Sequence, residues 1–293
     1  MASVLMVCDP KESKFSLLDR AVAMAKLHNA KLHVLDLLYV DGLAGLAGVS
    51  ETRREAAKKQ VIKRRELEIR AAMDARGIAT TSSVIHVAWG KDLTVAVVAY
   101  CKEIDPVLVV KRITSKNKQV FHTPTDWHLI QHCPAPLLVS PMKAFRKKPV
   151  IMVALDLSTK VKSKLALNHR LAAAAKRLAD NSGAQLHAAC CVVVSPILAE
   201  LDMIDPLEEK RKMKQQVKPL LAEFQRDYGI DPQNTHFKIG SPAKVLNSLA
   251  QKLKADVVVI GTAGRKGVKG HLLGSTSEQM LRHLYTDMLL IRP

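Results

Sequence analysis

The sequence predicts an α/β fold built twice, as two open, mostly parallel five-stranded sheets covered by helices. Three observations carry this. Short β-branched apolar runs alternate with helical patterns, the signature of a parallel sheet buried on both faces. The two halves of the 293-residue chain repeat one another. Residues 261–275, GTAGRKGVKGHLLGS, place glycines directly after the apolar strand Val257-Val258-Val259-Ile260 and ahead of a helical pattern containing Met280, Leu281 and Leu284. Glycine at a strand's C-terminal end lets backbone approach a ligand. A helix beginning at Gly274-Ser275 would turn free N–H groups toward an anion such as phosphate.

The repeat is read from four matches. Val4-Leu5-Met6-Val7-Cys8-Asp9 corresponds to Ile151-Met152-Val153-Ala154-Leu155-Asp156, and His86-x-x-x-Gly90 to His236-x-x-x-Gly240. Val107-Leu108-Val109-Val110 corresponds to Val257-Val258-Val259-Ile260, and Leu137–Pro141 to Leu289–Pro293. The period is too long for a solenoid, so this is a duplicated domain. Each copy reads β-α-β-α-β-α-β-α-β. In the second, strands are expected at 149–155, 185–194, 234–239, 256–260 and 287–292. Helices are expected at 162–181, 207–228, 242–253 and 276–284. Met213, Val217, Leu220, Leu221 and Phe224 share one helical face, and Ser241-Pro242 is an N-cap followed by a first-turn proline. The copies meet at a short basic linker, 143–148, giving domains 1–143 and 148–293. The matching runs 137–139 and 289–291 suggest edge-to-edge pairing of the copies as an internal pseudo-dimer; association of two chains into a homodimer is a further option.

Length and composition set the class. The chain is twice the usual length of one domain, and its cores must be aliphatic because aromatics are few. Its five cysteines show no metal or redox spacing, which suits a reducing cytoplasm, and no apolar run is long enough to span a membrane. The net charge of +18 divides evenly between the halves. Its densest cluster, Arg53 to Arg70, is interleaved with Glu55, Glu66 and Glu68, the pattern of a solvated helix face. Attraction to nucleic acid or an anionic membrane is the lesser reading.

The spacing G-x2-G-x9-G-[S/T], filled by Gly261, Gly264, Gly274 and Ser275, is combined with the repeat and the strand-ending Asp156. So combined, it resembles the universal stress protein family over essentially the whole chain, in its tandem two-domain layout. The resemblance implies Rossmann-like domains of the adenine nucleotide alpha hydrolase-like kind. It implies ATP or another adenine nucleotide in the C-terminal domain, with Mg²⁺ or Mn²⁺ as an optional bridging ion. It also implies a cytoplasmic role in stress resistance, including starvation and DNA damage, as a sensor or adaptor with protein partners still to be identified. By position, Ala154, Leu155 and Asp156 would contact adenine and ribose, and Cys191 would line the adenine side. Gly261 and Gly264 would pass under ribose and phosphates, and Gly274, Ser275 and Thr276 would bind phosphate. Arg265, Lys266 and Lys269 add positive charge. A plainer role for Ser275 is a capping box with Glu278.

The first copy departs from the pattern. Aligning the apolar runs sets Lys111 and Thr114 against Gly261 and Gly264, and His122 and Thr123 against Gly274 and Ser275. That copy is expected to have a degenerate nucleotide motif, serving structure, pairing or an apolar, lipid-like ligand. His128 and His132 stand at i,i+4 with His122 and Cys133 nearby, but a metal site is not expected. Trp89 and Trp127 are read as core or interface residues. No Walker A, HExxH or G-x-S-x-G pattern occurs, and no nucleophile, base and acid converge on the glycine run. Binding without catalysis is the primary expectation; weak ATP hydrolysis or autophosphorylation, with Asp156 as the acidic candidate, is the alternative.

Overall fold

The computed structural model describes residues 1–9, 12, 14–44, 48–79, 83–113, 124–142, 145–194, 197, 200–262, 274–282 and 285–293. Gly264, Arg265, Lys266, Lys269, Thr114, His122, Thr123 and the Ser275 side chain lie outside them. Cα proximity groups the described chain into two compact units, 1–113 with 124–138 and 139–293.

The first half runs β1 (Ser3–Val7), α1 (Leu18–Leu27), β2 (Lys31–Leu38), a single turn α2 (Asp41–Ala44), α3 (Glu51–Asp74) and β3 (Ser83–Trp89). It continues with α4 (Leu93–Ile104), β4 (Leu108–Arg112), α5 (Pro124–His132) and β5 (Leu137–Ser140). Its strands lie in the order β3-β2-β1-β4-β5. The second half runs β6 (Val150–Ala154), α6 (Lys162–Ser182), β7 (Gln185–Val192), α7 (Pro206–Gln216), α8 (Lys218–Tyr228) and β8 (Thr235–Ile239). It ends with α9 (Pro242–Leu253), β9 (Val257–Gly261), α10 (Ser275–Leu281) and β10 (Asp287–Ile291). Its order is β10-β9-β6-β7-β8. The pairings β1–β2, β1–β4, β2–β3, β6–β7, β6–β9, β7–β8 and β9–β10 are all parallel. Central strands are buried along their length, Val4 to Val7 and Ile151 to Val153 being almost wholly inaccessible, as runs covered on both faces must be.

Two expectations change. The single helix expected over 207–228 is two. Its apolar face continues through Val217, but the amide of Val217 closes α7 on Met213 and Pro219 sits in the first turn of α8. Proline there has no N–H to continue the ladder and fits only where a helix begins. The second change concerns register. Val4 pairs with Leu108 and Ile151 with Val257. Since Val4 and Ile151 correspond, Leu108 corresponds to Val257 and Arg112 to Gly261. The residue facing the glycine position is therefore Arg112, and not Lys111 as the apolar runs suggest. The backbone agrees: Val107 donates to the Ser3 carbonyl and Asp256 to the Val150 carbonyl, each at 2.8 Å. A one-residue shift exchanges sheet faces. Lys111 accordingly reaches Asp126 of α5 at 3.4 Å, while Arg112 reaches Glu12 at 2.6 Å in the segment before α1.

The second unit carries a buried carboxylate at the foot of β9. Asp256 accepts from the amides of Arg146 and Val150, at 3.1 and 2.8 Å, and from the Arg146 guanidinium at 2.9 Å. Among the described residues no helix is long and apolar enough to cross a membrane. Asp256→Ala strands two amides and the guanidinium, and urea titration is expected to show a loss of about 3–5 kcal/mol. Arg146→Ala leaves the Val150 donor in place and is expected to cost well under half of that.

Candidate functional site

Strand order in the second half reverses at β6: the chain moves outward through β7 and β8, then returns to β9 and β10 on the other side. Ligand crevices in open parallel sheets lie beyond the strand ends at such a switch point. Asp156 and Gly261 follow or end the two strands flanking it. β7 pairs with β6 as far as Ala154↔Ala189, which brings Cys191 to the neighbouring strand end.

Asp156 is held by its backbone. Its amide donates to Asn168 Oδ1 at 3.1 Å, and Asn168 Nδ2 donates to its carbonyl at 2.8 Å. Asn168 is buried in α6, and this two-point clamp is what it is satisfied by. The Asp156 carboxylate stays exposed, receiving Ser158 Oγ at 3.0 Å and facing Lys164 Nζ at 3.6 Å. Sequence reasoning missed Asn168; the available signal was an asparagine inside the apolar stripe Leu167, Leu171, Ala175. Leu155 is buried, so only its backbone is presented to the strand end, and Ala154 is half-buried. Cys191 is half-buried, and burial raises its thiol pKa to about 11, leaving it neutral at physiological pH. Burial, followed by the neighbouring Cys191, pushes Cys190 up to about 12.

Gly261 has a packing reason of its own. A Cβ built there would lie 2.6 Å from Leu167 Cδ2, so any side chain at this position would have to displace Leu167 of α6. Gly274 is the N-cap of α10, with φ −63° and ψ 136° and no side-chain capping bond. This corrects the capping-box reading: Ser275 is the first helical residue, and Glu278 pairs with Arg282 at 2.8 Å. Thr276 is half-buried in the first turn, and Ser277 Oγ donates to the Gly274 carbonyl at 2.9 Å.

The corresponding strand end in the first half is filled by its own side chains. Arg65 of α3 reaches the fully buried Asp36 at 2.6 Å, donates to the Glu12 carbonyl at 3.2 Å, and lies 4.5 Å over the Phe15 ring. Arg112, standing where the other half has Gly261, binds Glu12 and donates to Ser16 Oγ at 3.0 Å. Burial works against the Arg65 charge, but the Asp36 carboxylate more than offsets it and the guanidinium is held protonated. This network also divides the basic cluster of α3. Arg65 turns inward, Lys58 pairs with Glu55 and Arg54 with Glu51, while Arg53, Lys59, Lys63, Arg64 and Arg70 stay exposed. His132 Nδ1 donates to the His128 carbonyl at 2.8 Å, a helical contact, and no cluster of three potential metal ligands occurs among the described residues.

The sequence pattern of the Universal stress protein family matches residues 1–141 and again 149–292. The chain belongs to the universal stress protein family. Among universal stress proteins it is similar to "Universal stress protein E" of Salmonella typhi, at 28% identity over 99% of this chain and 94% of that one. The "Universal stress protein E homolog" of Haemophilus influenzae is 25% identical over 99% of this chain and 97% of its own length. Solved structures give the same tandem fold. A functionally unknown protein from Pseudomonas aeruginosa PAO1 matches with a TM-score of 0.72 at 24% identity, over 100% of this chain and 93% of that one. A universal stress protein from Archaeoglobus fulgidus matches with a TM-score of 0.68 at 18% identity, over 99% and 98%. This universal stress protein therefore has two tandem mixed α/β domains with mostly parallel sheets.

Two predictions follow from the packing and the charges. Gly261→Ala forces Leu167 out of place and should lower stability by about 1–3 kcal/mol. In a Leu167→Ala background the same change should cost far less; a penalty independent of residue 167 would show that another contact sets the glycine. The second concerns His187 and His236, whose rings stack and share a hydrogen bond, Nδ1 to Nε2, at 3.0 Å. Burial first, then His236, lowers the His187 pKa; burial first, then Lys238 and Lys252, lowers that of His236. The unfolded chain thus takes up protons before the folded one. Stability from this pair is fully present above the ordinary histidine value of about 6.5 and declines as pH falls below it. Denaturation midpoints at pH 7.5 and 5.0 should diverge less in His187→Asn than in the parent.

Proposed function

We propose that this universal stress protein binds an adenine nucleotide, ATP above all, at the strand ends of its C-terminal domain, and that occupancy sets its partner choice under stress. The observation that carries the reading is the contrast between equivalent positions. Gly261 leaves the end of β9 without a side chain, where Arg112 fills the end of β4 and pairs with Glu12. Beside it, the Asp156 carboxylate is exposed on a backbone fixed twice by Asn168. A carboxylate held this way suits a ribose hydroxyl pair, which presents two O–H donors. Gly264, Gly274, Ser275 and Thr276 would take the phosphates, and Arg265, Lys266 and Lys269 would supply countercharge. A bridging Mg²⁺ or Mn²⁺ would neutralise phosphate charge in that complex. Family membership and the stress-protein names of the similar bacterial chains support the biological setting, a stress response in the cytoplasm.

The proposed role is binding, and no residue is assigned a step in turnover. A ligand that binds only the folded state stabilises it by mass action, by about 2.7 kcal/mol at a hundredfold excess over Kd. Thermal unfolding with millimolar ATP, ADP and AMP is expected to show a rise of several degrees, lost in Gly264→Asp and about halved in Asp156→Ala, as a roughly tenfold weaker Kd, the scale of one charged hydrogen bond, requires. No shift with any nucleotide would overturn the proposal.

A further inference from the structure

On the opposite face of the first half from the Arg65 network, α4 leaves part of edge strand β3 uncovered. The resulting open cleft holds about 540 Å³ and is lined by residues of β2, β3 and α4. Its walls are aromatic and flat. His86 stacks on Tyr100 with ring centroids 4.6 Å apart and planes 7° from parallel. Tyr100 is fixed by its hydroxyl, 3.0 Å from His33 Nδ1. Trp89 ends β3 on the other sheet face, its ring tilted against Tyr39 at 5.9 Å and lying under Lys58 of α3. Beside the His86–Tyr100 stack the lining is reduced to Ala88, Ala96 and Ala99, which leave room for a planar group to lie against the strand and helix.

The charges around the cleft are unequal in their commitments. Lys91 sits 4.3 Å over the Tyr39 ring and pairs with Asp41 at 3.2 Å. The Asp92 carboxylate caps α4 by accepting the Val95 amide at 3.0 Å. Glu103 lines the cleft with no ion pair among the described residues, and its free carboxylate selects for positive charge.

The repeat supplies an internal comparison. Leu37 pairs with Ala88, as Cys191 pairs with Lys238. α4 and α9 both end on left-handed caps, Asp105 and Lys254. Counting from these marks, Ala88, Trp89, Tyr100 and Glu103 are replaced in the second half by Lys238, Ile239, Leu249 and Lys252. The aromatic walls and the acidic group are lost together, and the place of the small residue is taken by a lysine.

From this juxtaposition we infer that the first domain carries a second ligand site, selective for a small planar aromatic molecule bearing a protonated amine. The ring lies against Ala88, Ala96 and Ala99 beside the His86–Tyr100 stack, and the ammonium group meets Glu103. Ring faces and a carboxylate both attract a cation, and their effects add. The site is separate from the proposed nucleotide site and does not depend on it.

Calorimetric titration of the full chain with three probes tests this: tryptamine, indole-3-propionate and 2-cyclohexylethylamine. The first two share a ring and differ in charge; the first and third share charge and differ in the ring. Saturable binding of tryptamine is expected, roughly tenfold or more tighter than either control, the scale of one cation–π contact with one exposed ion pair. Glu103→Gln, an exposed change, should reduce the preference over indole-3-propionate by several-fold, the part owed to the ion pair. Ala88→Lys, which installs the second half's residue, should remove binding of both indoles. Gly264→Asp should leave all three titrations unchanged, which separates failure here from failure of the nucleotide reading. Absence of saturable tryptamine binding, an equal or greater affinity for indole-3-propionate, or a preference undiminished by Glu103→Gln would overturn the inference.

Discussion

The second half of this protein depends on one close approach: α6 lies across the end of β9, with Leu167 against Gly261. A Cβ there would have to push Leu167 aside. That contact also brings Asn168 over the end of β6, where it fixes both polar groups of the Asp156 backbone. Packing at one position and orientation at the next are therefore consequences of the same helix placement. A glycine that a ligand reading assigns to backbone approach is already required by the core. The two demands are compatible, because one concerns the helix side of the strand and the other its end.

The first half solves the same topological problem differently. Its helix α1 begins later, and the segment before it supplies Glu12, Phe15 and Ser16 to a network with Arg65, Asp36 and Arg112. Here the strand ends are closed by charge. A buried carboxylate such as Asp36 needs its partner, since losing one side of a buried pair leaves the other desolvated and unpaired. The equivalent strand ends thus carry different residues, Arg112 in one half and Gly261 in the other, while on the other sheet face the first half carries a cleft beside the His86–Tyr100 stack.

Much of this was legible in the sequence. The repeat, the alternation of apolar runs with helical patterns, and the Ser241-Pro242 helix start gave the tandem fold and most element boundaries. The correspondence of Gly261 with Arg112 was not legible, because the runs 107–110 and 257–260 are equally apolar and can slide by one residue without penalty. Only strand pairing fixes them. The break at Val217 was hidden because the apolar face of α7 and α8 is continuous, although Pro219 marked it. The partnership of Arg65 with Asp36 spans 29 residues and depends on how α3 packs, which periodicity does not encode. Asp36 within Leu35-Asp36-Leu37 was the clue, a charge in a buried strand that must find a partner. The cleft was least visible, since His86 and Ala88 of β3 meet Tyr100 and the alanines of α4 only once both elements are placed.

The central claim is that the two halves of this universal stress protein are unequal at their strand ends, and that one adenine nucleotide binds per chain. Calorimetric titration of the full-length protein with ATP measures this directly through its stoichiometry. One nucleotide per chain is the predicted result; two per chain, or none at millimolar ATP, would contradict it.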